Sequence, residues 1–215
     1  MKRIPVIAID GTAASGKGTL ARKLGDYLGY AVLDTGLLYR CVAIKTLENG
    51  KTWDDHTAVI AAANSITAID LENPELRSAE AGRGASVVGA IPEVRIALDG
   101  FQRDFPAASD KNGAILDGRD IGTVIFPDAA IKFYVDAAMP VRAERRWKEL
   151  VVKGWDITLE TVINDFRIRD ARDGERSFRP MKPADDAILI DTTKMTPDEV
   201  FETALAAARA KDLCR

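Results

Sequence analysis

A chain of 215 residues, 47% of them hydrophobic, is long enough for one α/β domain with insertions, or for a core with small appended subdomains. Its net charge of −3 lacks the basic excess of a constitutive nucleic-acid binder, yet permits a small anionic ligand in a locally positive pocket. The two cysteines, Cys41 and Cys214, form no Cys-x-x-Cys pair, which argues against a zinc knuckle or dithiol redox site and for reduced thiols in the cytosol.

The first predicted element is the apolar strand Ile4-Pro5-Val6-Ile7-Ala8-Ile9. It shows no leader-like zones, and no apolar run in the chain approaches a membrane span, so a soluble, cytoplasmic protein is expected. The strand leads into Gly11-Thr12-Ala13-Ala14-Ser15-Gly16-Lys17-Gly18-Thr19, and a helix is predicted from Lys17 to about Leu28. Apolar strand, glycine-bounded loop, lysine and helix together are the context of a phosphate-binding P-loop. Its backbone N–H groups and helix N-terminus cradle anionic oxygens, and Lys17 reaches the β- and γ-phosphates as a point charge. Gly18 stands where Ser or Thr is usual, with Thr19 one place later; Gly-Lys-Gly-Thr points to the nucleoside monophosphate kinases. Ala14 replaces a glycine often found in that loop.

A second strand, Tyr30–Asp34, ends beside Thr35, Tyr39 and Arg40, at the carboxyl edge where open parallel sheets bind ligands. The helix that follows is predicted to about Glu48 and stops at Asn49-Gly50. Another helix is expected over Asp55–Asn64, with the single histidine, His56, at its solvated start. Ile66–Leu71 alternates weakly and is read as a short strand, Asn73-Pro74 as a turn, and Leu76–Gly89 as a small-residue stretch containing Ser86. A helix from Pro92 to about Phe105 carries Arg95. Residues 50–105 are read as an insertion into a core made of 1–49, 106–141 and 180–215.

The third core strand, Gly113–Asp117, closes on a carboxylate in a position resembling Walker B, where Asp117 and Thr19 are expected near Mg2+, mostly through water. Arg119 and Asp120 follow directly. The fourth strand is placed at Ile131–Asp136. Residues 142–179 hold eight arginines; Arg169, Arg172 and Arg176 share one helical stripe with Asp173. A solvated Arg/Asp face is the ordinary reading of such a run. Arginine's bidentate fork and the position between two strands favour a phosphate-closing lid. The fifth strand is predicted at Ala187–Thr192, and a terminal helix from Pro197 to about Lys211.

In this order the motifs resemble those of bacterial cytidylate kinases, nearly end to end. The carriers are the P-loop, Leu33-Asp34-Thr35-Gly36-Leu37-Leu38-Tyr39-Arg40, the block Asp117-Gly118-Arg119-Asp120-Ile121-Gly122-Thr123 with its extension to Ala129, and the Arg169–Arg176 run. The resemblance implies a P-loop NTPase fold: a five-stranded parallel sheet flanked by helices, with a nucleoside-monophosphate-binding insertion and an arginine-rich lid. It implies transfer of the γ-phosphoryl of ATP, with Mg2+, to CMP or dCMP. It further implies that Ser86, Arg95 and Asp120 read the base, that Arg40 and Arg119 hold the acceptor phosphate with Thr35 nearby, and that Arg169, Asp173 and Arg176 meet the nucleotide from the lid. Lys17, Arg119, Arg172 and Arg176 would act in the transfer. The stretch from 66 to 86 is shorter than in many members, as if a β-hairpin were missing. A monomer working on small molecules, without nucleic acid or membrane, is expected. The alternatives are another small-acceptor P-loop kinase, such as a UMP kinase, and a non-catalytic nucleotide-binding regulator.

Overall fold

The computed structural model describes residues 4–213, so Cys214 lies outside the described residues. β1 (Val6–Gly11), β2 (Ala31–Asp34), β3 (Ala114–Gly118), β4 (Ile131–Asp136) and β5 (Ile188–Asp191) form one parallel sheet in the order β2-β3-β1-β4-β5. All residues of β1 and β3 are buried, as continuous apolar runs in the middle of a parallel sheet must be. The register pairs Ile9 with Asp117 on one side and with Phe133 on the other. The carboxyl ends of the three central strands therefore lie side by side.

Two compact units divide the chain, one built from Met1–Leu33 with Pro106–Arg215 and one from Asp34–Phe105. In the first, α1 (Lys17–Leu28) and α8 (Pro197–Arg209) complete a core with the sheet. Leu20 and Leu24 of α1, Val200 and Leu205 of α8, and Ile7, Ile9, Phe133 and Val135 of the strands are all buried there. Each helix has its local signals. Gly29 closes α1 with a left-handed φ of 67°, and a Thr196/Glu199 capping box with Pro197 opens α8, as expected from capping physics. α6 (Met139–Val152) and α7 (Leu159–Glu175) pack on each other through Ala143, Leu150, Val162 and Phe166, and the same cluster includes Ala13 of the P-loop. Among the described residues no helix is long and apolar enough to cross a membrane.

The second unit contains α2 (Thr35–Glu48), α3 (His56–Asn64), α4 (Ala79–Val88) and most of α5 (Pro92–Ala108), and the insertion expected over 50–105 lies within it. His56 is exposed at the start of α3, where Asp55 caps the helix by accepting from Ala58 N. The strand expected over Ile66–Leu71 does not form. The chain instead makes two short 3-10 turns, Ala68–Glu72 and Pro74–Arg77. Asp70 accepts from both the backbone N and the hydroxyl of Thr67, and Asn73 caps the second turn at Glu75 N. These side-chain acceptors satisfy local donors and outcompete a weak alternation. The small-residue stretch after Leu76 is also helical, as α4. Gly84 is required there, because a Cβ would lie 2.5 Å from the Trp53 ring and 2.6 Å from Ala43 Cβ.

Candidate active site

The P-loop is shaped by what holds it from behind. Gly11 has φ 137°, and a Cβ at that position would lie 1.9 Å from the Val135 carbonyl oxygen, so only glycine fits. Three loop carbonyls accept side-chain donors. Thr12 O accepts from Ser15 Oγ at 2.9 Å and from Lys17 Nζ at 2.6 Å. Ala13 O accepts from Arg142 Nη1 at 3.3 Å, and Ser15 O from Thr192 Oγ1 at 2.8 Å. Arg145 in turn donates to both the hydroxyl and the carbonyl of Thr192, at 2.9 and 2.7 Å. Thr12 Oγ1 donates to Asp136. Fixed carbonyls hold the loop's peptide planes in place, and preset peptide N–H groups are what an anion cradle requires. Ala14 sits at φ 56°, a left-handed conformation that costs a non-glycine residue about 1 kcal/mol. Its side chain packs on the α6–α7 cluster.

Lys17 is 5% exposed, and its Nζ lies 3.8 Å from Asp117 Oδ1. Asp117 Oδ2 would be 3.4 Å from a Cβ at Gly18, so the residue usually occupied by Ser or Thr faces this carboxylate. Among the described residues no three His, Cys, Asp or Glu side chains are arranged to hold a metal. The Asp117 carboxylate beside Lys17 is a hard oxygen donor, of the kind suited to an ion of Mg2+ type. Thr19 follows in the first turn of α1.

The corner after β3 is pinned from below. Asp10 accepts from Ile121 N at 2.8 Å and Gly122 N at 2.7 Å. Burial pushes the Asp10 carboxyl up to about 6, against these two amide hydrogen bonds. Residues Ile121–Ile125 form a single π-turn, a distortion frequent at functional sites. Arg119 and the 4% exposed Asp120 stand at this corner.

α7 contributes to the same unit. Arg119 Nε is 3.4 Å from Asp173 Oδ2, and Arg176 Nη2 is 2.9 Å from Asp173 Oδ1. Burial works to raise the Asp173 carboxyl, but the charges of Arg119, Arg169 and Arg176 outweigh it and hold it below the usual carboxylate range. Arg172 is exposed, one turn before Arg176. The first unit thus brings together the P-loop, Lys17, Asp117, Arg119, Asp120 and the α7 stripe.

Thr35, Arg40, Ser86 and Arg95 belong to the second unit. Thr35 opens α2 and is buried, with Asp34 capping the helix at Gly36 N. Arg40 donates to Leu76 O at 2.7 Å and packs over Gly82, whose Cβ would be 3.4 Å from Nη2. Arg95 is 2% exposed; it donates to Gly89 O at 3.2 Å and lies 5.5 Å from the centroid of the Tyr39 ring. Ser86 Oγ is enclosed, with no hydrogen-bond partner among the described residues. A buried unsatisfied hydroxyl is costly unless something later fills it.

The sequence did not point to Asp10, Asp136, Arg142, Arg145 or Thr192 as parts of the site. Arg142 and Arg145 read as lid arginines because residue type and spacing cannot reveal that one reaches Ala13, 129 positions earlier, and the other Thr192, 47 positions later. Asp136 and Thr192 carried one signal, each as the last residue of a predicted apolar strand.

A sequence model of the cytidylate kinase family matches residues 7–210. Cytidylate kinases from Caulobacter sp. (strain K31) and Methylocella silvestris are 47% and 50% identical over 209 and 200 residues, covering 96% and 93% of this chain and 96% and 92% of theirs. That of Xanthobacter autotrophicus is 50% identical over 206 residues, covering 96% of this chain and 98% of its own. An uncharacterised protein from Eubacterium ventriosum, 14% identical over 96% of this chain and 99% of its own, shares the fold with a TM-score of 0.55. With its P-loop, its Asp117–Thr123 corner and its α7 stripe in place along that full-length likeness, this chain belongs to the cytidylate kinase family.

Proposed function

We propose that this protein transfers the γ-phosphoryl group of ATP to CMP or dCMP, giving ADP and CDP or dCDP. The observation that carries this reading is the likeness to cytidylate kinases at about half identity over more than nine-tenths of both chains.

In this reading the N–H groups from Gly11 to Thr19 and Lys17 hold the donor phosphates, Lys17 exchanging Thr12 O and Asp117 for phosphate oxygens. Mg2+ would supply charge neutralisation between the phosphates, with Thr19 and Asp117 near its water shell. Phosphoryl transfer proceeds through a loose transition state with charge on the equatorial oxygens, so alignment and cationic donors are the main requirement. Lys17, Arg119, Arg172 and Arg176 supply those donors. Arg40 and Arg119 hold the acceptor phosphate, with Thr35 close by. Arg169 and Asp173 address the ribose.

The base is read by Ser86, Arg95 and Asp120. A carboxylate accepts from the exocyclic amine of cytosine and repels the carbonyl that uracil presents there. The enclosed hydroxyl of Ser86, without a hydrogen-bond partner among the described residues, supports this assignment, since it gains from a partner of complementary polarity. We further propose that the enzyme is a cytoplasmic monomer acting on small nucleotides, without nucleic acid or membrane; the net charge of −3 supports the absence of a polyanion partner, and light scattering tests the monomer.

The test is an acceptor panel of CMP, dCMP, UMP, AMP and shikimate with coupled detection of ADP. CMP and dCMP are expected to turn over well above the rest. A preference for UMP or AMP, or nucleotide binding without turnover, would overturn the reading.

A further inference from the structure

Arg142 is 4% exposed and ties three segments of the first unit with one guanidinium. Nε donates to Ala137 O at 2.8 Å, just before its own helix α6. Nη1 donates to Ala13 O of the P-loop at 3.3 Å. Nη1 and Nη2 also meet the two oxygens of Asp170 on α7, at 3.2 and 2.7 Å. The guanidinium carbon lies 5.6 Å from the centroid of the Phe166 ring, also on α7. Apolar contacts run the same way, since Ala13 and Ala14 pack into the cluster of Ala143, Leu150, Val162 and Phe166.

Stability alone is a poor reason for this arrangement. A buried ion pair gives up much of its attraction to desolvation, and an apolar replacement often serves as well. A forked guanidinium offers something apolar packing does not, a fixed orientation of its partners. Asp170 stands between Arg169 and Arg172 on one continuous helix. Fixing residue 170 therefore fixes the rotation and advance of Arg169, Arg172 and Asp173 together, and Arg176, the residue that caps the helix, is held to Asp173 at 2.9 Å.

We propose that Arg142 and Asp170 are positioning residues for the transfer, registering α7 on the P-loop so that the α7 arginines meet the bound nucleotide as a set. This deepens the kinase reading above and rests on it. Neither residue touches the reacting atoms; both act through the helix they hold.

Asp170→Asn is the main test, because it keeps size and one acceptor oxygen at a partly exposed position. Arg142→Lys keeps the charge but lacks the fork, and the double variant completes the cycle. Asp170→Asn is expected to lower kcat by about ten- to a hundredfold, with KM for CMP changed less than about twofold, as misalignment predicts. ATP hydrolysis relative to transfer should rise, and the gain in Tm from saturating ATP should shrink. The double variant should be scarcely worse than Arg142→Lys alone, because the two residues act as one unit. A variant with lowered Tm in the absence of nucleotide, wild-type kcat per folded molecule and an undiminished ATP-induced Tm gain would show a purely structural pair and overturn the proposal. If the wild type transfers phosphate to no nucleoside monophosphate, the kinase reading fails separately. The ATP-induced Tm gain then decides alone, a smaller gain in Asp170→Asn supporting the pair and an equal gain overturning it.

Discussion

α6 and α7 are both rich in arginine, yet they use it in opposite ways. On α6, Arg142 and Arg145 turn inward and donate to Ala13, Ala137 and Thr192. Their charge is used up on protein carbonyls and one carboxylate, and the product is the shape of the P-loop. On α7, Arg172 is exposed, while Arg176, at the helix's C-terminal cap, shares Asp173 with Arg119. A carboxylate partner of that kind positions a guanidinium while leaving N–H groups able to meet a phosphate. Composition does not separate the two helices; the acceptors they reach do.

The widest gap should appear at Lys17, on the chemical side of this division. Lys17→Met is expected to keep the fold by circular dichroism and to lower kcat by about a thousandfold, the scale for removing a charged donor aimed at a transition state. Normal turnover would contradict its role.

Next in size is Asp10, on the supporting side. Its folded carboxyl titrates at about 6 against an ordinary 3.8. Between these values the folded state keeps a proton that the unfolded chain has lost. Its contribution to stability is therefore full below about pH 4 and is lost as pH rises through 6, by up to about 3 kcal/mol. Urea melts at pH 4, 5.5 and 7 should show Asp10→Asn gaining on the wild type as pH rises. Parallel curves for the two proteins would rule out a raised Asp10.

A matched pair of truncations then probes the two helices directly. Arg172→Ala should lower kcat by about ten- to a hundredfold while leaving Tm within a degree or two of the wild type. Arg145→Ala should instead lower stability by about 2 kcal/mol, because Thr192 loses two donors in a buried setting, with the folded fraction retaining most of its turnover. If Arg145→Ala inactivates without destabilising, or Arg172→Ala destabilises without inactivating, the division between the helices is wrong.

Local chemistry carried much of the fold. α1 begins and ends where the sequence placed it, at Lys17 and Leu28, and β4 spans Ile131–Asp136 as predicted. In each case an apolar run meets glycine, proline or aspartate at its ends. Where such signals were weak, local competition decided. The Ile66–Leu71 alternation yielded to the Thr67/Asp70 and Asn73 caps. α4 was hidden by Gly82 and Gly84, which lower helix propensity and have no side chain to show a period. Packing on Trp53 and Ala43 is what makes Gly84 welcome there.

Taken alone, the sequence determined the P-loop, the run of α/β elements and the residue types available for phosphate chemistry. Those depend on backbone freedom at a few glycines and on hydrophobic period, and both are local properties. Tertiary structure decided which charged groups do chemistry and which hold the frame. Asp10 became a buried anchor because the amides of Ile121 and Gly122 reach it from more than a hundred residues later in the chain, and Arg142 a tie because it reaches Ala13, 129 residues earlier. An arginine or a carboxylate takes its role from the partner and the solvent it meets, and only the folded chain supplies them.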